Sequence, residues 1–254
     1  MVRAPAPALR RNFLIPAWLV LGAGLTWGAG LPPVVVLCAV TPLALLYVWA
    51  PAWAKASAEA LDRDALGLRA SGRAAELPAR YRRAVGLRLF GAPAAIEERL
   101  GAALLAAGDS RGAAAAYRDA IALAGEPVPL ALLVGLAHSA LEAGADDEAI
   151  GALRAVVAID AGMPRIRPSL ARALLRRGRE ADLPEAAELA ASLPASDEGE
   201  RQLLQAYVLA RRGQTAAARQ ALAEIEGGPA PLRAEVETAA GGGAADEKRK
   251  KKKR

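Results

Sequence analysis

Leu100-Gly-Ala-Ala-Leu104-Leu-Ala-Ala-Gly108-Asp-Ser-Arg-Gly-Ala113-Ala-Ala-Ala-Tyr117-Arg-Asp-Ala120 is the stretch whose reading decides the fold. Alanine, leucine and arginine are strong helix formers. Gly108 divides the stretch into two helical halves, because a glycine past a helix end relieves the left-handed turn there. Gly101 and Ala113 are small enough to let the two helices approach closely. Leu104 and Tyr117 are large enough to fill the space beside them.

The same grammar recurs. Gly72, Gly108, Gly144, Gly178 and Gly213 follow one another at intervals of 36, 36, 34 and 35 residues. A second unit reads Leu136-Ala137, Ala140, Gly144, then Ala149, Leu153 and Val156. A third reads Leu170-Ala171, Leu174, Gly178, then Ala186, Ala190 and Leu193. A fourth reads Ala206, Leu209, Gly213, then Ala218, Leu222 and Ile225. These units resemble the tetratricopeptide repeat (TPR), with Leu104 standing where the family usually has tyrosine and the early tryptophan absent. Around Gly72 a weaker unit keeps Leu68, Tyr81 and Ala84, but Pro78 is expected to interrupt its second helix. The resemblance implies an all-α protein, an α-solenoid of about four helix pairs over residues 95–238; a generic alanine-rich helical bundle is the alternative. One pair cannot bury its apolar face, so several must stack. At Asp182-Leu-Pro184, a capping carboxylate and a first-turn proline are expected to open a helix.

Upstream the composition changes. From Asn12 to Ala54 no residue is charged, a run of 43. One straight helix of that length would reach about twice the ~30 Å hydrocarbon core. The run instead divides at Gly28-Ala-Gly-Leu-Pro-Pro33 into two expected transmembrane helices, 13–30 and 34–53. Trp18, Trp27, Tyr47, Trp49 and Trp53 include several at expected ends, where amphipathic rings favour the interface. A secretory signal peptide or a single anchor is the competing assignment. Arg3, Arg10 and Arg11 precede the pair, and Lys55, Arg63 and Arg69 follow it. The positive-inside rule therefore places both termini and the repeats in the cytoplasm. Residues 1–12 are then a basic cytoplasmic tail, and 55–94 a juxtamembrane helical segment or degenerate repeat. Alanine and arginine usage suggests a GC-rich bacterial genome, and hence the inner membrane.

The net charge of +6 and the pI near 9.8 mislead. Seven of the 33 basic residues are Lys248, Arg249, Lys250, Lys251, Lys252, Lys253 and Arg254, and without them the balance is 26 against 27 acidic. Residues 239–254 are expected to be a disordered polybasic tail, helical order ending at the three glycines from Gly241. Anionic lipid or RNA could attract it. Residues 55–89 hold eight basic and four acidic residues; residues 90–247 hold 15 and 23.

One cysteine, Cys38, excludes a disulfide framework and a cysteine zinc cage. One histidine, His138, excludes His-pair metal sites. There is no Gly-rich phosphate loop, no arguable Ser/His/Asp set and no supported carboxylate pair. No catalytic, cofactor or metal residue is therefore assigned, and an enzyme is not expected. The TPR resemblance implies a concave groove lined by first helices. Projecting its positions gives Glu98, Ala102, His138, Glu142, Arg172, Arg176, Tyr207 and Arg211. The later members, with His138, make a candidate peptide groove suited to a carboxylate-bearing segment. The function expected is a membrane-anchored scaffold that binds protein partners. The alternatives are an RNA- or ribosome-associated membrane protein acting through its tail, and an accessory subunit of a membrane enzyme or secretion complex.

Overall fold

The computed structural model describes residues 32–251, apart from 161, 164 and 226. Twelve α-helices follow in chain order among the described residues. These are α1 (Pro33–Ala70), α2 (Leu77–Arg83), α3 (Val85–Phe90), α4 (Pro93–Ala106), α5 (Ser110–Ala124) and α6 (Leu130–Ala143). Then come α7 (Asp146–Ile159), α8 (Ile166–Arg177), α9 (Leu183–Ala191), α10 (Glu198–Arg211), α11 (Thr215–Glu224) and α12 (Ala230–Lys251). The chain divides into two compact units, one ending at Leu132 and the other beginning at Leu133.

The glycine series is the punctuation it was expected to be. Gly72, Gly108, Gly144, Gly178 and Gly213 all have φ between 70° and 84°. At Gly108 the turn is closed by two reversed bonds, Gly108 N–H to Leu105 O and Asp109 N–H to Leu104 O. The same pair of bonds recurs at Gly72, Gly144 and Gly213. This is the Schellman arrangement, which satisfies two orphan carbonyls at each helix end. Asp109 then accepts a hydrogen bond from Gly112 N–H, opening α5 as an N-cap.

In the first unit, the inner face of α1 is set by Ala50, Ala54, Ala58 and Leu68, all buried. Ala58 joins Tyr81 and Leu87 in one cluster, and Leu68 joins Leu77 and Ala103 in another. Tyr81 donates its hydroxyl proton to Ile96 O, which fixes α2 against the start of α4. Pro78 does not interrupt a helix. It sits in the first turn of α2, where its missing N–H costs nothing.

The sequence assignments 13–30 and 34–53 need separate treatment. The first lies outside the described residues. The second is the beginning of α1, which does not stop at Trp53 but runs unbroken to Ala70. The alanine-rich sequence after Trp53 is helix-forming, and Lys55 pairs with Glu59 one turn on. Among the described residues no helix is long and apolar enough to cross a membrane. The side chains of α1 that are described nevertheless show an exposed apolar face: Val34, Leu45, Val48, Trp49 and Trp53 are each more than half exposed.

In the second unit each helix from α7 to α10 packs on the next. α12 closes the unit against α10 and α11, burying Leu232, Val236 and Ala240 along one face. α12 also corrects the expected disordered tail. The helix continues through Gly241, Gly242 and Gly243 to Lys251. Extending an existing helix adds one hydrogen bond per residue, which offsets a glycine's cost of ~1 kcal/mol. Residues 252–254, Lys252, Lys253 and Arg254, lie outside the described residues.

Candidate functional site

Four of the five groove residues meet. Arg172 and Arg176 from α8 and Tyr207 and Arg211 from α10 line an open cleft of about 900 Å³ in the second unit. Leu141, Glu142 and Asp146 line it from α6 and α7, and Ala234, Glu235 and Thr238 from α12. His138 is exposed on α6 and does not line it.

The cleft is not a free basic surface, because its arginines are engaged within the chain. Arg172 grips Glu235 bidentately: Nη2 to Oε1 at 2.6 Å and Nε to Oε2 at 3.1 Å. Both side chains are about one quarter exposed. The hydrogen bond from Arg172 to Glu235 raises the arginine pKa, with burial opposing it. Tyr207 is only 3% exposed. Its ring carries Arg211, whose guanidinium carbon lies 5.3 Å from the centroid.

Arg176 and Arg211 share a role that sequence reasoning missed. Arg176 Nη1 donates to Leu141 O at 2.8 Å, and Arg211 Nη2 donates to Arg176 O at 3.2 Å. Both bonds join residues 35 apart, one full repeat. Each arginine therefore caps carbonyls in the last turn of the previous repeat's first helix, where the helix dipole favours a cation. A signal was present, since Arg176 and Arg211 each stand two positions before a turn glycine, Gly178 and Gly213. Arg211→Met should cost about 1 kcal/mol, the net value of one such bond. Thermal denaturation against the parent chain would measure it.

Asp146 lies beside Arg176. Its Oδ1 lies 3.3 Å from Arg176 Nε as an ion pair, yet that buried oxygen accepts no hydrogen bond. Burial raises the Asp146 pKa more than Arg176 lowers it, and Glu235 and Asp147 raise it further. A raised folded pKa contributes stability below the ordinary aspartate value near 3.8, lost as pH rises through the folded value. Asp146→Asn should therefore gain stability relative to the parent chain as pH climbs through that window. Urea unfolding at acidic and neutral pH reads the difference. Asp146, Asp147 and Glu148 do open a second helix, α7, as dipole compensation requires. Among the described residues no group of His, Cys, Asp or Glu could hold a metal ion.

Of the tail, Lys248, Arg249, Lys250 and Lys251 end α12, and their side chains are not among those described.

No protein-family model matches the chain, and no curated protein matches its sequence. Solved structures do match. A kinesin light chain-like chain of Podosopora anserina with nearly identical TPR-like repeats superposes with a TM-score of 0.52 and 20% identity, covering 75% of this chain and 98% of that one. A variant of it gives 0.52 and 21%, covering 74% and 96%. At this identity the likeness shows the fold: an all-helical chain of TPR-like repeats.

Proposed function

We propose that the chain is a scaffold that binds protein partners through its TPR-like repeats, held at the cytoplasmic face of a bacterial inner membrane by its N-terminal apolar segment. The observation that carries the binding half is the Arg172–Glu235 contact at the cleft. It is the bidentate guanidinium–carboxylate chemistry that a partner's acidic segment would take over from Glu235. TPR-like folds generally present such grooves to other proteins. The membrane half rests on the sequence, on the uncharged run from Asn12 to Ala54 and its basic flanks. No catalytic chemistry enters this reading.

The test is purification from membranes with whatever partner is stoichiometric. Replacing Arg172, Arg176 and Tyr207 together should release it; retention would remove the cleft assignment. Protease added to inverted and right-side-out vesicles tests the topology, with digestion of the repeats expected only in inverted ones. The tail-based alternative makes a different forecast, namely salt-sensitive RNA binding lost on deleting Lys248–Arg254.

A further inference from the structure

The first unit exposes a second surface that partner binding at the cleft does not use. α3 turns Gly86 and Leu87 inward and leaves Val85 and Leu89, one turn apart, 58% and 67% exposed. The inward contact is close: a Cβ on Gly86 would lie 3.2 Å from the Trp53 ring of α1. Trp53 also meets Phe90, with ring centroids 6.0 Å apart. Trp49, one turn before Trp53, is 70% exposed. Two tryptophans of α1 and two aliphatic side chains of α3 thus expose apolar surface on two helices that pack together at Trp53.

The sequence around α3 is basic, with Glu97 close enough to Arg88 to feel its charge. Between Glu76 and Glu97 the sequence has no acidic residue and four arginines. Arg80 is paired with Asp64, but Arg82, Arg83 and Arg88 are exposed and make no ion pair among the described residues. Arg88 donates only to Arg82 O, which places these two beside each other. An apolar centre of tryptophan, valine and leucine rimmed by arginine fits the headgroup layer of an anionic bilayer. Indole rings favour that layer, and arginine binds phosphate bidentately. Continuity agrees with this occupant. The patch adjoins the stretch of α1 that leads back to the uncharged residues before it, where a protein partner would be excluded by the same membrane.

We propose that Trp49, Trp53, Val85, Arg88 and Leu89 form a second membrane contact, with α3 lying in the headgroup layer of an anionic leaflet. This rests on the N-terminal segment being a membrane anchor. The full chain would be reconstituted into neutral phosphatidylcholine vesicles, or vesicles with about 30% phosphatidylglycerol. One sample carries a fluorophore on the native Cys38. The other carries it on Leu89→Cys in a Cys38→Ser background. Lipids with a spin label in the headgroup or deep in the chain act as quenchers.

Cys38 is expected to be quenched by the deep label, and residue 89 by the headgroup label. Quenching at residue 89 should be about fivefold stronger with anionic lipid, the factor for roughly one basic residue held at the surface. Replacing Arg82, Arg83 and Arg88 by glutamine should erase that difference. If Cys38 is quenched while residue 89 is not, or is quenched equally in both vesicles, the second contact is overturned and the anchor stands. If Cys38 is not quenched, the anchor fails and the second contact with it.

Discussion

Replacing Arg177 by methionine is expected to destabilise the second unit by about 3–5 kcal/mol, because it strands a buried carboxylate. Arg177 Nη2 reaches Asp182 Oδ1 at 2.6 Å and Nε reaches Oδ2 at 2.8 Å, a fork on a fork. Nη1 reaches Asp147 Oδ1 at 2.9 Å. The Arg177 and Asp182 side chains are only 14% and 10% exposed. Those two hydrogen-bonded carboxylates hold the guanidinium pKa well above its ordinary value. The single substitution leaves the Asp182 carboxylate with its main partner gone. The double variant Arg177→Met, Asp182→Leu removes both desolvation costs and should recover most of the loss. Chemical denaturation of the four chains of this cycle gives the coupling directly. Additivity of the two changes would show that the pair contributes nothing beyond its parts.

Asp182 also shows where the sequence stops being legible. Asp182-Leu-Pro184 has the form of a helix cap, and a helix does start at Leu183 with Pro184 in its first turn. The carboxylate, however, makes no cap bond. A charge-assisted bidentate contact outweighs one backbone N–H, so Arg177 takes the side chain. The cap pattern is local and therefore readable. The competitor lies across a turn, and only the packing of α8 on α9 brings it near.

The same division runs through the cleft. Turn glycines and small–large alternation depend on neighbours within one helix pair, so a linear pattern carries them, and the repeat fold followed. Placing Arg172, Arg176, Tyr207 and Arg211 together was also within reach, since they recur at repeat spacing. What those groups bind is decided by residues far along the chain. Glu235, 63 positions from Arg172, belongs to no repeat, and nothing local to Arg172 announces it. Pro78 and the glycines from Gly241 were read by their interior-helix cost. In the structure one stands in a first turn, and the others follow a helix already anchored by Leu232 and Val236.

Tyr117→Ala is expected to cost about 3–5 kcal/mol, the range for deleting a buried aromatic ring. Tyr117 is 6% exposed, and a Cβ placed on Gly101 would come within 2.9 Å of its ring. The ring therefore lies directly on the backbone of α4, and α5 can approach only because position 101 has no side chain. This contact is what the small–large pattern at Gly101 and Tyr117 encodes. Enlarging the other partner tests the same geometry from the opposite side. Gly101→Val drives two methyl groups into that buried ring and should cost about 1–3 kcal/mol through overpacking. Gly101→Val combined with Tyr117→Ala should be less damaging than the two losses added, because the new side chain occupies part of the vacated space. Tyr117→Phe keeps the ring and should stay within about 1 kcal/mol of the parent. Unfolding of the four variants by urea distinguishes a ring-on-glycine contact from a general loss of apolar area. If the combined variant loses the full sum, the close approach of α4 and α5 does not depend on this pair.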